Sequence, residues 1–271
     1  MNEIIPTSYN PLLVLISYCF AVMGSYIALT GLYKLRTFRD AHTAQRLEKM
    51  MGLPEQRTMV PSDRIYTATL IVAGVSFGGI GVWAMHFMGQ LALNMPIEVQ
   101  YAIPETLLSL VAAVGAAIWG LSIVARNPQS PVRLLLAGAM LGLGVSTMHY
   151  LGMLSMHFGG FFVWNWGMVA LSILIAFVAA TAGLWLAFRT NTIYTRLLAA
   201  LVMGVAVSAM HYTGMSAADV VCTTREVLPA SGVMGMIDGP HLPVLLISLM
   251  VGVGLAVTLD RMYAPHLRMR T

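Results

Sequence analysis

The sequence predicts an all-helical integral membrane protein: a bundle of seven transmembrane helices, built from three helical-hairpin repeats and one additional span. Three observations support this prediction. Hydrophobic residues make up 58% of the chain and charged residues only 10%, whereas charged residues make up about 25% of a soluble domain. The few charges fall in short stretches between long apolar runs, and the mean hydropathy is +0.78. A Met-His pair also recurs at a regular spacing along the chain.

The charge-free runs define the spans. A bilayer core about 30 Å thick requires about 20 apolar residues per helix, and the longest run, Leu134–Phe188, has room for two helices. No basic stretch or small-residue cleavage site precedes the first span, so we expect a retained helix and not a signal peptide. The predicted spans are Pro11–Tyr33, Tyr66–Leu93, Glu105–Val124, Leu134–Leu154, Trp166–Phe188, Leu197–Ser216 and Leu242–Leu259.

Basic residues predict the orientation of the chain, because Lys and Arg concentrate in cytoplasmic loops. All 15 except Arg225 lie either in a segment after an odd-numbered span or in the C-terminal tail. This distribution places the N-terminus outside and the C-terminus in the cytoplasm. The net charge of +4 therefore reflects membrane topology, so we expect the lipid bilayer, and no nucleic acid, as the partner of this surface.

One motif occurs three times, in the second, fourth and sixth predicted spans. The copies are Met85-His86-Phe87-Met88, Met148-His149-Tyr150-Leu151 and Met210-His211-Tyr212-Thr213, and their His residues are 63 and 62 residues apart. That interval accommodates one helical hairpin with its loops, so each repeat is a pair of spans. We therefore predict a single transmembrane domain over residues 1–271, with repeats at 12–95, 102–157 and 166–217 and a last span at 242–260.

The three His residues are predicted to lie at one depth near the outer face, because the even-numbered spans all run outward. At 1.5 Å per residue, His149 and His211 lie roughly 22–24 Å from the cytoplasmic start of their spans. His86 joins them if its helix begins in the cytoplasm. A glycine follows each His by three residues, on the same helix face. Because small residues allow membrane helices to approach closely, we expect the His faces to point into the bundle.

Imidazole and thioether groups without carboxylates form a ligand set that suits copper better than calcium, magnesium or manganese. The candidate metal ligands are His86, His149, His211, Met85, Met148, Met210, Met153 and Met215. Tyr150, Tyr212, Gln90, Glu105 and Cys19 are candidates for the residues that surround those ligands. Two other interpretations of an intramembrane His cluster stay open: a hydrogen-bonded structural cluster, and a pathway for protons or ions.

With these three motifs the chain resembles the MHYT domain, a module of the bacterial inner membrane that is named after the motif. The resemblance implies a sensor of oxygen, carbon monoxide or nitric oxide that acts through copper bound by the His residues and neighbouring Met residues. It also implies a link to cytoplasmic domains that make or degrade cyclic di-GMP, to a histidine kinase or to a DNA-binding domain. The chain ends 10 residues after Arg261, so we expect a separate signalling partner. Gln90 stands where the other copies have Met153 and Met215, which argues against a third equivalent Met ligand.

Two further function classes are copper handling and enzymatic catalysis. Copper storage or transfer is the main alternative, although the inner halves of the spans show no ladder of Met, Cys and His along which metal would move. Enzymatic activity is not expected, because the sequence shows no paired carboxylates, no nucleophile with a base and no nucleotide-binding loop.

Overall fold

Helices dominate the computed structural model, which describes residues 3–4, 6–52, 62–127, 129–223 and 235–267, with the backbone alone at 3–4, 240 and 256–267. Arg57, Arg225, Arg268 and Arg270, which enter the charge count above, lie outside the described residues. The mostly helical structure confirms the predicted helical membrane fold in its coarse form.

Six helices of the described chain are long and apolar enough to cross a membrane. They coincide with the first six predicted spans. These helices are α1 (Pro11–Met50), a composite helix of α2 (Asp63–Val75), a π-helical segment (Ser76–Ala84) and α3 (Met85–Leu91), then α4 (Ile103–Arg126), α5 (Pro131–Leu154), α6 (Trp166–Ala187) and α7 (Ile193–Met215). The seventh predicted span coincides with α8 (Leu242–Leu267), whose apolar part with described side chains, Leu242–Leu255, is shorter than a span. The seven-span topology therefore stays a prediction.

Local sequence determines where several helices begin. Asn10 precedes α1, and its side-chain Oδ1 accepts a hydrogen bond from the backbone N–H of Leu12 at 3.0 Å. Ser130 caps α5 in the same way, and Thr192 forms a capping box with Thr195 at the start of α7. Such caps satisfy backbone N–H groups that have no partner within the helix.

Two helices differ from the predicted spans in ways that matter for the site. Helix α1 is one continuous helix of 40 residues that continues to Met50, well beyond the predicted end of its span at Tyr33. The composite helix begins at Asp63, as its predicted extension into the cytoplasm requires, and all nine residues of its π-helical segment are buried. There Gly24 of α1 packs on the backbone of Gly81, where a Cβ atom would overlap it.

The segment before α1 and the loops that follow α3, α5 and α7 contain short strands that the all-helical prediction did not include. All pairings are antiparallel and form three small sheets, in the orders β1-β7-β6, β2-β3 and β5-β4-β8. The strands are β1 (Glu3–Ile4), β2 (Ser8–Tyr9), β3 (Leu93–Asn94), β4 (Gln100–Ala102), β5 (Met156–His157), β6 (Gly160–Trp164), β7 (Ala218–Cys222) and β8 (Met236–Asp238). Strand β4 is buried throughout, and the strands β3 to β8 lie in the loops at the ends of α3, α5 and α7.

Candidate metal centre

The three repeated His residues meet in the interior of the bundle. His86 lies at the start of α3, His149 in the last two turns of α5 and His211 in the last two turns of α7. Their exposed fractions are 0%, 0% and 1%. One nitrogen from each ring lies within 4.8 Å of the corresponding nitrogens of the other two rings. The three side chains could therefore hold a metal ion. The predicted convergence of the three imidazoles is confirmed.

The rings face one another through Nδ1. The Nδ1 atom of His86 lies 3.1 Å from Nδ1 of His211 and 3.1 Å from Nδ1 of His149. The ring centroids are 4.9 to 5.3 Å apart and the ring planes are nearly perpendicular. A neutral imidazole carries only one N–H, so hydrogen bonds alone cannot use the lone pairs of all three Nδ1 atoms at once. A cation between them can.

Each Nε2 atom packs on a glycine of another repeat. A Cβ atom built on any of these glycines would overlap the ring that lies against it. The contacts run in a cycle: His86 on Gly152, His149 on Gly214, and His211 on Gly89. These glycines were predicted to bring helices together. Their role is more specific, because each one leaves space for the imidazole ring of a residue on another helix.

The five candidate Met ligands all lie in the core. Met85, Met148, Met210, Met153 and Met215 are each at most 4% exposed. Gln90 Nε2 lies 3.5 Å from the sulfur Sδ of Met153, within hydrogen-bonding distance. The same Nε2 atom donates a shorter hydrogen bond, of 3.1 Å, to the carbonyl oxygen of Gly152. Gln90 thus joins the first copy of the repeat to the second. Whether the thioethers ligate a metal stays a prediction.

The two tyrosines of the motif direct their hydroxyls away from the triad. Tyr150 Oη lies 2.6 Å from Ser172 Oγ on α6, and Tyr212 Oη lies 2.9 Å from Ser17 Oγ on α1. Each ring nevertheless packs edge-on against the His that precedes it, with centroids 4.9 and 4.7 Å apart. The tyrosines therefore connect α5 to α6 and α7 to α1.

In the first copy of the repeat, the indole of Trp83 makes the hydrogen bond to a serine that the tyrosine hydroxyl makes in the other two copies. Trp83 Nε1 donates to Ser109 Oγ on α4 at 3.0 Å, while Phe87, at the tyrosine position, has no hydroxyl. Sequence reasoning missed these serine partners. A signal was present, because Ser109 and Ser172 are separated by the same 63 residues as His86 and His149.

The remaining candidates lie at the edge of the site or outside it. Cys19 is exposed on α1, unlike the fully buried triad. Glu105 lies in the first turn of α4, and its Oε2 atom is buried without a hydrogen-bond partner among the described residues. The ring of Tyr101 in β4 packs on Phe87, which packs on His86. Burial raises the pKa of the Tyr101 phenol, so this residue is a neutral group beside the site.

Fold and site together define a multi-pass membrane protein in which internal repeats each contribute one imidazole to a buried cluster. The family model for the bacterial signalling protein N-terminal repeat, MHYT, matches residues 79–138 and 142–200. The chain belongs to the MHYT family, as its three motifs predicted.

Similar proteins are bacterial signalling proteins. The chain is 36% identical over 219 residues to the bifunctional diguanylate cyclase/cyclic di-GMP phosphodiesterase MucR of Pseudomonas aeruginosa, a match that covers 78% of the chain and 28% of MucR. It is 39% identical over 145 residues to the cyclic di-GMP phosphodiesterase NbdA of the same organism, covering 51% of the chain and 18% of NbdA. Identity to the signaling protein YkoW of Bacillus subtilis is 28% over 225 residues, covering 79% of the chain and 24% of YkoW. The chain thus spans less than a third of each relative, and no solved structure matches it.

Proposed function

We propose that the chain is the membrane-embedded sensor module of a bacterial signalling system and that it holds copper through the Nδ1 atoms of His86, His149 and His211. The observation that carries the proposal is the approach of these Nδ1 atoms, at 3.1 Å from His86 to each of the other two. Such spacing supports the proposal, because three buried ring nitrogens within 4.8 Å of one another are close enough for one metal ion to bind them all.

The residues present fit a metal that favours imidazole. No Asp, Glu or Cys belongs to the His group in the described part of the chain, and imidazole with thioether donors suits copper, whereas zinc is more often accompanied by Cys or carboxylate. The glycine contacts fix which nitrogen is presented, because they hold Nε2 on the outside of the triad. Buried Met residues, among them Met153 and Met215, are candidates for further ligands.

Copper held there would supply a centre whose preferred coordination changes with oxidation state or with a diatomic ligand such as O2, CO or NO. The chain would convert such a change into helix movement, because the ligands lie on α3, α5 and α7. Tyr212 transmits a shift of α7 to Ser17 on α1, and α1 extends as one helix to Met50. The signal must favour one arrangement of the helices over another, since only differential binding shifts an equilibrium.

The proposed setting is the bacterial inner membrane, with the His triad near the outer face. The output is proposed to be cyclic di-GMP turnover by a cytoplasmic domain or a separate partner, because two of the relatives are named for making or degrading this molecule. The end of α1 at Met50 is proposed to report to such a partner from the cytoplasmic side.

Metal analysis of the purified full chain tests the proposal. After loading with copper and removal of free metal, the wild-type protein should retain copper and a His86/His149/His211 triple alanine variant should lose it. A His157→Ala variant is the control, because His157 is an exposed residue of β5 outside the triad. Should the triple variant fail to fold, His149→Gln preserves polarity and should still reduce copper content. Equal copper in wild type and variants overturns the proposal.

Copper storage or transfer is separated from sensing by a vesicle assay. The wild-type chain reconstituted into liposomes should bind copper without moving it across the bilayer. Copper-dependent flux that disappears in the triple variant would contradict the sensor proposal and support transfer.

A further inference from the structure

An apolar cavity of about 40 Å³ lies inside the bundle, beside the triad on the side away from the three small sheets. Helices α1, α4, α5, α6 and α7 and the π-helical segment all contribute to its wall. Every side chain that lines it in the described chain is apolar. A cavity needs only about 10–15 Å³ to hold a molecule of water size, but water also needs two to four polar partners. This cavity therefore suits a small apolar guest.

The cavity reaches the helical turns that carry the ligands. Met210, which directly precedes His211, lines it, and Val207 lies one turn before His211 on the same helix. Val145 lines it as well and lies one turn before His149. A guest in the cavity would thus contact two of the three helices that hold the imidazoles.

Most of the α6 residues that line the cavity are alanine or glycine. Ala179, Ala180 and Gly183 line the cavity with the smallest side chains, and the first two are only half-buried. Other residues of that helix, among them Leu174 and Val178, are exposed on the surface where the lipid of a membrane would lie. Apolar molecules concentrate in hydrocarbon and not in water, so the bilayer would supply such a guest directly through this wall.

We propose that this cavity is a binding site for a small apolar molecule of the size of a diatomic gas, separate from the metal site and adjacent to it. Binding itself does not depend on copper. Its role in signalling rests on the proposed function, because a gas held next to Met210 would be delivered to the triad from within the membrane.

Xenon is the probe, since dry apolar cavities in proteins bind it. The metal-free chain, labelled with 13C at its Met methyl groups and placed in lipid nanodiscs, is titrated with xenon and followed by NMR. The methyl signals of Met203 and Met210, which line the cavity, should shift and saturate. The signal of Met51, an exposed residue beyond the end of α1, should not shift saturably.

Two variants make the test specific. Ala206→Leu fills the cavity and should abolish the saturable shifts, while Ala170→Leu adds the same atoms to an exposed position on α6 and should preserve them. Gly183→Ala is a milder filling variant, whose Cβ would lie 3.4 Å from the side chain of Met203, and it should weaken xenon binding. The proposal is overturned if the shifts do not saturate or if they persist in Ala206→Leu. It is also overturned if a lipid chain occupies the cavity and prevents xenon from binding. Because no metal is present, failure here leaves the copper proposal standing, and the reverse also holds.

Discussion

The Nε2 atom of His86 packs on Gly152, at a place where even a single methyl group would overlap the imidazole ring. The two residues belong to different copies of the repeat, and the other copies make the same contact in cyclic order. Each copy of the repeat therefore depends on another copy for the glycine that accommodates its imidazole ring. No single helical hairpin contains both an imidazole and the glycine that accommodates it.

Replacing Gly152 with alanine should damage the metal centre. The new methyl group must displace the ring of His86, so we expect a loss of about 1–3 kcal/mol in the free energy of unfolding together with lower copper content. Thermal unfolding and metal analysis measure the two effects. Gly115→Ala is the matched control, since its Cβ would meet no atom within 4 Å. Normal copper content in Gly152→Ala would show that this contact does not position the ring.

The three His residues should contribute about equally to copper affinity. They come from equivalent positions and are equally buried, so single replacements by alanine should each weaken binding by at least about tenfold, as even loss of a residue supporting a ligand does. Competition titration against a chelator of known affinity gives the values. A single variant with wild-type affinity would remove that residue from the site.

Removing the hydroxyl of Tyr212 should weaken the link between α7 and α1 without removing copper. The Tyr212–Ser17 hydrogen bond should contribute about 0.5–1.5 kcal/mol to stability. A double-mutant cycle of Tyr212→Phe and Ser17→Ala isolates this contribution. Copper content should match the wild type in all three variants. A coupling energy of zero would contradict the proposed connection between the triad and α1.

The buried phenol of Tyr101 should make stability fall at alkaline pH. Burial raises its pKa in the folded protein, so the unfolded chain loses this proton first as the pH rises above about 10. The stabilising contribution is complete below that pH and is lost above it. Tyr101→Phe should therefore flatten the alkaline part of the stability curve, whereas Tyr194→Phe, at an exposed position, should not. If stability depends on pH in the same way in both variants, the buried phenol of Tyr101 does not cause the loss of stability at alkaline pH.

The sequence predicted the membrane helices and the triad because both depend on patterns that local chemistry enforces. Charges are excluded from the bilayer core, so their absence marks the spans, and a repeat in helices of one direction brings His86, His149 and His211 to one level. The short strands were not predicted, because each has few residues and pairs with a strand far away in the sequence, as Gln100 does with Asp238.

Three features of the site also lay beyond sequence reasoning. The π-helical segment has an apolar pattern no different from that of an α-helix, since all of its residues are buried. Cys19 sits in an apolar span, yet its exposure depends on how α1 is rotated. The hydrogen bonds of Tyr150 and Tyr212 cross between helices, so only the packed bundle shows that these hydroxyls turn away from the triad.

Nitrogen NMR of the copper(I)-loaded protein, labelled with 15N at histidine, tests most directly how the triad would hold metal. Copper(I) is diamagnetic, so each ring nitrogen reports its own state. The structure predicts three His residues whose Nδ1 resonances move on copper binding while their Nε2 atoms stay protonated. Coordination through Nε2, or spectra of His86, His149 and His211 that copper leaves unchanged, would contradict the account.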